Sequence, residues 1–233
     1  MKFKLPLLLL SALLLLPGIA RAVKGDTYLI DTPTAEVLPA HGLGINARMF
    51  SNGGMLGYLD FAVTGRFSIG ASQTFEHLIG TNDQDIKLLV PGLQAKFRFY
   101  DGSSALPALA VGFDNQGFLY DHQAKKYTQT ARGVYIAATK EVWIPGFIFN
   151  PGVNVTVDGF EFDRLAAFAS AAFNVADMFA LMGEWDNIRS LKTSRLNCGV
   201  RVYLFENFNF DFALRNFNTK TERIVQLKYI LAL

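Results

Sequence analysis

The sequence has 233 residues, of which 51% are hydrophobic and 13% aromatic, and one of them is a cysteine. A single cysteine excludes an intrachain disulfide, and the length is sufficient for one large domain. Three of the 22 basic residues, Lys2, Lys4 and Arg21, lie within residues 1–22. The rest of the chain has 19 basic and 20 acidic residues, a net charge of −1. A chain this close to neutral argues against a basic patch for nucleic acid, so we expect no nucleic-acid partner.

The N-terminal residues 1–22 have the features of a cleaved secretory signal peptide. Lys2 and Lys4 precede an apolar stretch from Leu5 to Leu16, and Ala20–Ala22 supplies the small residues of a cleavage site. The apolar stretch is too short for a transmembrane helix, which needs about 20 residues. We therefore expect the mature chain to be exported.

The remainder, residues 42–233, alternates apolar with polar or small residues in segments of about ten residues, each followed by a turn signal. This pattern predicts an all-β fold. Residues 165–182 are rich in alanine and are compatible with a helix, which would reduce the strand count to ten, but Asn174 and Asp177 favour two strands with a turn between them. The twelve predicted strands are 42–51, 55–64, 66–75, 92–100, 106–114, 131–140, 146–156, 165–174, 177–187, 195–205, 208–216 and 223–233.

The predicted connectors alternate between tight turns and longer polar loops. Tight turns are expected at 64–65 and 206–207, and longer loops at 76–91, 115–130 and 157–164. An outer-membrane barrel has short periplasmic turns and longer outer loops, whereas a soluble sandwich has no reason to alternate in this way. No mature segment offers a spanning helix, so a membrane protein of this sequence must be a closed antiparallel barrel of about 12 strands.

The polar face of the predicted strands carries charges of both signs among small residues. Such a face suits a narrow hydrated lumen, because charges there pair across the bore instead of facing lipid. A soluble sandwich or a periplasmic lipocalin-like barrel would also alternate and stays an alternative. The predicted lumen-lining residues are Arg48, Asp60, Arg66, Lys96, Arg98, Glu184, Asp186, Arg201, Asp211, Arg215 and Lys228.

The segment "FNFDFALRNF" also shows this alternation. Phe208, Phe210 and Phe212 are expected to face lipid, whereas Asp211 is expected to face the bore as a counter-charge for Arg201 or Lys228. The last strand also alternates and stops at the chain end, as in bacterial barrels whose final strand is thought to be read by the barrel-assembly machinery. The residues of this predicted assembly signal are Tyr229, Leu231 and Leu233.

Two further segments are candidates for contact with solute. Asp114, Asn115 and Gln116 lie between glycines at a strand end and form a candidate rim or constriction, or a simple bend or bulge at the strand end. Residues 23–41 contain two prolines after the start of the mature chain, so they cannot be an interior strand. We expect a periplasmic lead-in or a partial plug of the barrel mouth there.

The stretch "YLIDTPTAEVLPAHGLGI", residues 28–45, resembles the G-L-L-x-x-P-T-A opening of the YjbH-like Gram-negative outer-membrane proteins. Leu29, Pro33, Thr34 and Ala35 carry the match. The resemblance extends over about residues 28–118 through "HLIGTNDQD", "VPGLQAKFRF" and "PALAVGFDNQGF", and beyond these by pattern alone. It implies an outer-membrane barrel tied to exopolysaccharide production or export.

No combination of residues predicts an enzyme, a metal site or a cofactor. Ser72 and His77, with Asp83 or Asp85 as the third group, could form a nucleophilic set, but they lie at a polar loop where Asp and His are common. Glu76, Asp83 and Asp85 could bind calcium, but their spacing matches no recognised loop. We therefore expect a non-enzymatic outer-membrane barrel with lipid as its surroundings. It would be a narrow pore for small polar solutes, an accessory to polysaccharide export, or a structural or adhesive barrel with a filled lumen.

Overall fold

The computed structural model describes residues 26–80, 85–142, 144–158, 161–176, 178–190 and 192–232. Within these ranges, no helix is long and apolar enough to cross a membrane. The predicted signal peptide lies outside the described residues, as do Asp83 and Leu233.

Fifteen strands are present in the described part of the chain, and twelve of them form a closed antiparallel barrel. The other three are short and belong to connectors. The barrel strands are β1 (Leu43–Phe50), β2 (Gly54–Thr64), β3 (Phe67–Glu76), β5 (Gly92–Tyr100), β6 (Ala108–Asp114), β9 (Ala131–Glu141), β10 (Phe147–Asp158), β11 (Glu161–Val175), β12 (Phe179–Ile188), β13 (Arg195–Phe205), β14 (Phe208–Arg215) and β15 (Glu222–Leu231); the short strands are β4 (Lys87–Leu88), β7 (Phe118–Asp121) and β8 (Lys126–Gln129).

Each barrel strand pairs with the next one along the chain, and the first and last strands close the cylinder. In that closure Leu43 of β1 lies opposite Leu231 of β15, and Met49 lies opposite Val225. Closure leaves no free sheet edge, which is the condition for a sheet to stand in hydrocarbon. The prediction of twelve strands is therefore confirmed, and the alanine-rich segment forms the hairpin of β11 and β12 instead of a helix.

Apolar side chains cover the outer surface of the barrel and polar side chains fill the inside. On β2 and β5, Leu59 and Leu93 are 52% and 58% exposed. On β14, Phe212 is 45% exposed, whereas its neighbour Asp211 is 2% exposed and Asn209 is 1% exposed. This distribution is the inverse of that in a soluble protein, where large apolar side chains fill the core.

The connectors divide between two ends of the barrel. The tight turns, including Gly65–Arg66 and Glu206–Asn207, lie at what we call the turn end, and the longer connectors lie at the loop end. Among the longer connectors, residues 77–91 contain β4, and residues 115–130 contain the β7–β8 hairpin. The loop predicted at 157–164 is wrong, because β10 and β11 continue as a hairpin in which Asp158 pairs with Glu161.

Candidate functional site: a barrel bore occupied by the N-terminal segment

Residues 26–38, which we call the inner segment, lie along the axis of the barrel. The segment is buried over most of its length, and it makes hydrogen bonds to inward-facing side chains of β1, β5, β9, β12, β13 and β15. These strands are spread around the whole circumference, so a segment that reaches all of them must lie between them. After Leu38 the chain leaves the bore, and His41 donates from its backbone N–H to the carbonyl of Ala62 at the turn end.

The inner segment is folded into a tight loop that the bore wall holds by its backbone. The Thr34 N–H donates to the Thr27 carbonyl at 3.1 Å, and the Leu29 N–H donates to the Thr32 carbonyl at 3.0 Å. The three consecutive N–H groups of Ile30, Asp31 and Thr32 then converge on the carboxylate of Glu184, at 2.8, 3.0 and 2.9 Å from Oε1. The buried carboxylate of Glu184 therefore accepts from three backbone donors at once. The inner segment, which is interrupted by proline, cannot satisfy these donors within itself.

Cationic side chains of the wall satisfy the carbonyl oxygens of the same segment. Each of these side chains projects inward from a different strand, so together they surround the loop. The donor and acceptor pairs are Lys96 Nζ with Thr27 (2.6 Å), Thr34 (3.0 Å) and Glu36 (3.2 Å), Lys228 Nζ with Tyr28 (2.9 Å) and Leu29 (3.3 Å), Arg201 Nη2 with Leu29 (3.0 Å), Arg48 Nη2 with Ile30 (2.5 Å), and Arg132 Nη2 with Asp31 (3.0 Å).

Two arginines bind the carboxylate of Asp31, which lies at the tip of the loop. Asp31 accepts a hydrogen bond at 2.8 Å from Arg48 Nη1 and one at 2.6 Å from Arg215 Nε. Burial by itself raises the pKa of Asp31, but the guanidinium groups of Arg215 and Arg48 outweigh it and hold the pKa below its ordinary value. The ring of Phe118 lies against both arginines, 5.3 and 4.5 Å from their guanidinium carbons.

A second charge cluster lies at the loop end of β9, β12 and β13. Asp186 accepts hydrogen bonds from Arg132 at 3.1 Å and from Arg195 at 2.7 Å. Arg132 also reaches the backbone of the inner segment, as given above, and therefore connects this cluster to the Asp31 site. Arg195 and Arg132 thus connect the loop end with the tip of the inner segment.

Of the three predicted rim residues, Asp114 and Gln116 are buried in the bore, whereas Asn115 is half-buried beside β5. Asp114 accepts a hydrogen bond from the Tyr28 hydroxyl at 2.9 Å, so it holds the inner segment. Asn115 Oδ1 accepts from the Leu93 N–H at 2.6 Å, and the Gln116 side chain accepts from Ser72 Oγ at 2.8 Å. These bonds fix the base of the β7–β8 hairpin against β3 and β5, and the hairpin turns inward.

The other predicted lumen residues are divided between the bore and the turn end. Asp60 borders the interior cavity described below. Arg98 pairs with Glu36 of the inner segment at 3.1 Å and with Asp101 at 3.1 Å, near the turn end. Arg66 is not in the bore: it lies in a tight turn, is exposed, and pairs with Asp101 outside the barrel interior. Strand β3 begins only after it, at Phe67, so the face alternation does not apply to Arg66.

Arg132 is not among the residues predicted to line the bore, because strict alternation puts it on the same face as the outward-facing Val134 and Ile136. A β-bulge reverses this: Gly133 has a positive φ of 71°, and the register between β9 and β10 shifts between Val155 and Val157. The bulge turns Arg132 inward. An arginine followed by glycine within an apolar stripe was the signal that could have found it.

Open space remains on both sides of the inner segment. A cavity of about 220 Å³ lies beside it and is bordered by Asp60 and Arg132. A vestibule of about 510 Å³ at the loop end is lined by Arg48 and Arg215, and a space of about 540 Å³ towards the turn end is lined by Arg98. The inner segment therefore lies between the space at the loop end and the space towards the turn end.

The candidates considered for catalysis and metal binding are not brought together. Ser72 is buried and bonded to Gln116 and Gln94, and the described partner of the His77 ring is the backbone carbonyl of Asp85, at 3.4 Å. Within the described residues, no group of three or more His, Cys, Asp or Glu side chains could hold a metal ion. Of the predicted assembly signal, Tyr229 and Leu231 face outward on β15, each 37% exposed.

Comparison with known proteins adds a structural neighbour. No family model and no curated protein matches the sequence. The fold is similar to that of the KdgM porin, with a TM-score of 0.56 and 9% identity over 81% of this chain and 98% of that chain. It is also similar to the KdgM porin in complex with disordered oligogalacturonate, with a TM-score of 0.54 and 7% identity over the same shares of the two chains. At these identities the similarity shows the fold alone.

Proposed function

We propose that this protein is a non-enzymatic outer-membrane β-barrel that forms a narrow, gated pore for small polar solutes. The observation that carries the proposal is the polar bore with an entrance at each end, closed by an inner segment held through hydrogen bonds and ion pairs. Water or solute can replace polar contacts of this kind, although Leu29 and Ile30 of the segment also belong to an apolar cluster with Met182 and Ile224.

The apolar outer surface supports the membrane location. Side chains such as Leu59, Leu93 and Phe212 project outward from the strands and are about half exposed. Exposing many large apolar side chains to water is unfavourable, at about 25 cal/mol for each Å² that could otherwise be buried. A lipocalin-like soluble binder would instead keep an apolar interior for its ligand, and here the interior holds buried arginines, lysines and carboxylates.

The bore favours anions over cations in this proposal. Arg48, Arg215 and Arg132 contact the inner segment, and Arg195 shares Asp186 with Arg132. Arginines bind carboxylate and phosphate groups through paired N–H donors. The KdgM porin structure with oligogalacturonate shows that a barrel of similar fold binds an acidic oligosaccharide, which is consistent with a bore of this charge.

Two other functions remain as proposals of lower rank. A structural or adhesive barrel with a permanently filled lumen is favoured by the number of hydrogen bonds that hold the inner segment. An accessory role in exopolysaccharide export rests on the resemblance of residues 28–118 to the YjbH-like proteins. In each case lipid and the barrel-assembly machinery would be the partners.

Membrane fractionation with a heat-shift gel tests the location. We expect the mature protein in the outer-membrane fraction, with an electrophoretic mobility that changes on boiling. Recovery as a soluble periplasmic protein would overturn the membrane proposal.

Planar-bilayer recording then separates the pore from the structural barrel. We expect discrete current steps and a reversal potential of the sign given by anion selectivity under a KCl gradient. Replacing Arg132 and Arg195 with glutamine should move the reversal potential towards zero, whereas replacing the exposed Arg66 should leave it unchanged. If several preparations of folded protein show no steps, the structural barrel is the better account.

A further inference from the structure

The clearest feature of the bore that the pore proposal leaves unexplained is a carboxylate held by two arginines. The carboxylate of Asp31 belongs to the inner segment, and the arginines belong to the wall: Arg48 on β1 and Arg215 on β14. All three side chains are at least nine-tenths buried. The barrel wall therefore binds a carboxylate that belongs to the inner segment of the same chain.

We propose that Arg48 and Arg215 form the binding site for the carboxylate of a small acidic solute, and that Asp31 occupies this site when solute is absent. The inference rests on the proposed pore and names the solute that its bore selects. An acidic solute that takes the place of Asp31 removes the two ionic contacts at the tip of the inner segment. Binding of the solute and release of the segment are then one exchange reaction.

The two arginines are fixed by other partners, so the site persists when its carboxylate leaves. Arg48 Nε donates to Gln226 Oε1 at 2.8 Å, and Arg215 Nη1 donates to Glu222 Oε2 at 2.6 Å. Phe118 lies against both guanidinium planes. A site whose donors are already oriented loses little entropy when it binds a ligand.

The charges around the site favour the binding of an anion. Arg48 and Arg215 carry two positive charges, and Glu222 supplies one negative charge. Asp31 supplies the second, so its departure leaves one uncompensated positive charge among buried groups. Leaving a buried charge without a partner is costly, so an incoming carboxylate binds there in preference to a neutral solute.

The site is reachable from the loop end. Arg48, Arg215 and Phe118 line the vestibule of about 510 Å³, and Asp31 borders the adjoining cavity of about 220 Å³. Pockets for drug-sized ligands measure about 300–1,000 Å³, so the inner cavity suits a small acid, such as a single sugar acid.

Isothermal titration calorimetry on the folded mature protein in detergent tests the site, with gluconate as the probe and sorbitol as the uncharged control. In Asp31→Ala the internal competitor is gone, so we expect gluconate to bind at least about tenfold more tightly than to the unchanged protein. Glu206→Ala, at an exposed turn position, should leave the affinity unchanged. Sorbitol should bind none of the variants.

A second variant tests the arginines themselves. Arg215→Lys on the Asp31→Ala background keeps the charge but loses the planar fork, so gluconate affinity should fall back to that of the unchanged protein. If Asp31→Ala does not fold by the heat-shift criterion, Asp31→Asn carries the same expectation, because the amide has no charge. Equal gluconate affinity in the unchanged protein and the folded Asp31 variant would overturn the site.

Conductance of the same Asp31 variant distinguishes this proposal from the pore. A variant that conducts chloride but does not bind gluconate overturns the carboxylate site and leaves the pore intact. A variant that binds gluconate but never conducts overturns the pore and leaves the site as a binding site in a closed barrel.

Discussion

The carboxylate of Asp211 on β14 accepts two hydrogen bonds from the guanidinium of Arg201 on β13, at 2.7 Å from Nε and 2.8 Å from Nη2. Lys228 on β15 approaches the same carboxylate at 3.4 Å. Three neighbouring strands are thus joined by charges that face the bore. Because Arg201 and Lys228 also hold the carbonyl of Leu29, the cross-strand cluster positions the donors that bind the inner segment.

Asp211→Asn should destabilise the barrel, because it removes the counter-charge that Arg201 and Lys228 share and leaves Arg201 with Asp26 alone. Removing one member of a buried pair costs about 3–5 kcal/mol. The measurement is the midpoint of urea unfolding in lipid vesicles. Asp101→Asn is the matched control: Asp101 is exposed and pairs with the exposed Arg66 and the partly exposed Arg98, so the change should cost no more than about 1 kcal/mol for each pair.

Phe212→Arg should impair insertion, because Phe212 faces outward near the middle of β14. A basic side chain at the bilayer midplane costs about 2–4 kcal/mol, and one near the interface about 0–1 kcal/mol. The control is Phe205→Arg, at the last residue of β13 beside the tight turn. The fraction of heat-modifiable protein after refolding reports the difference, and equal yields would contradict the lipid-facing assignment.

Glu184→Gln should loosen the inner segment, because an amide has one acceptor oxygen in place of two and carries no charge for the three N–H groups of residues 30–32. Hydrogen exchange of those amides should become faster, while exchange on β12 itself is unchanged. Glu206→Gln, at an exposed turn position, should leave exchange in the inner segment as it was.

Gly133→Ala should destabilise the fold, because Gly133 has a positive φ of 71° and a Cβ there would lie 2.0 Å from the Val155 carbonyl oxygen. Either the bulge opens or the strands move apart, and Arg132 loses its inward direction. We expect a loss of more than about 1 kcal/mol of unfolding free energy. At Gly183 an added Cβ meets nothing within 4 Å, so Gly183→Ala should have little effect.

Acid should release the tip of the inner segment. The pKa of Asp31 is lower in the folded protein than its ordinary value of about 3.9, so its contribution is complete above that pH and is lost as pH falls below it. The amide exchange of residues 29–32, corrected for the pH dependence of the chemistry, should be constant from about pH 7 to about pH 5 and rise only below about pH 4. Because Glu184, Glu222 and Asp186 lie nearby, the informative quantity is the difference from Asp31→Asn, which should lack this component.

The barrel could be predicted from the sequence because its strands obey a rule with a period of two. Most of the twelve strands alternate strongly enough for their position and inward face to be assigned, whereas residues 165–182 are also compatible with a helix. Asp211 is expected to pair with Arg201 or Lys228 and contacts both. Such an assignment fails where the rule is interrupted. The bulge at Gly133 hid Arg132, and Arg66 lies in a turn before its strand begins.

The filling of the bore could not be predicted in the same way. The inner segment has two prolines and no periodicity, and its bonds join residues far apart in the chain, as between Thr32 and Glu184. The β7–β8 hairpin turns inward because of the contacts of Asp114 and Gln116 with other strands. Local patterns identified residues 23–41 as unsuited to a strand, but the choice between a lead-in and a plug depends on three-dimensional contacts.

The most direct test of the account is the single-channel conductance of the mature protein beside that of Glu184→Gln, in the same planar bilayers. The account predicts small and infrequent steps for the unchanged protein, and larger or more frequent anion-selective steps for the variant, because the inner segment blocks the bore and Glu184 holds it. Equal conductance of the two folded proteins, or no steps from either, would contradict it.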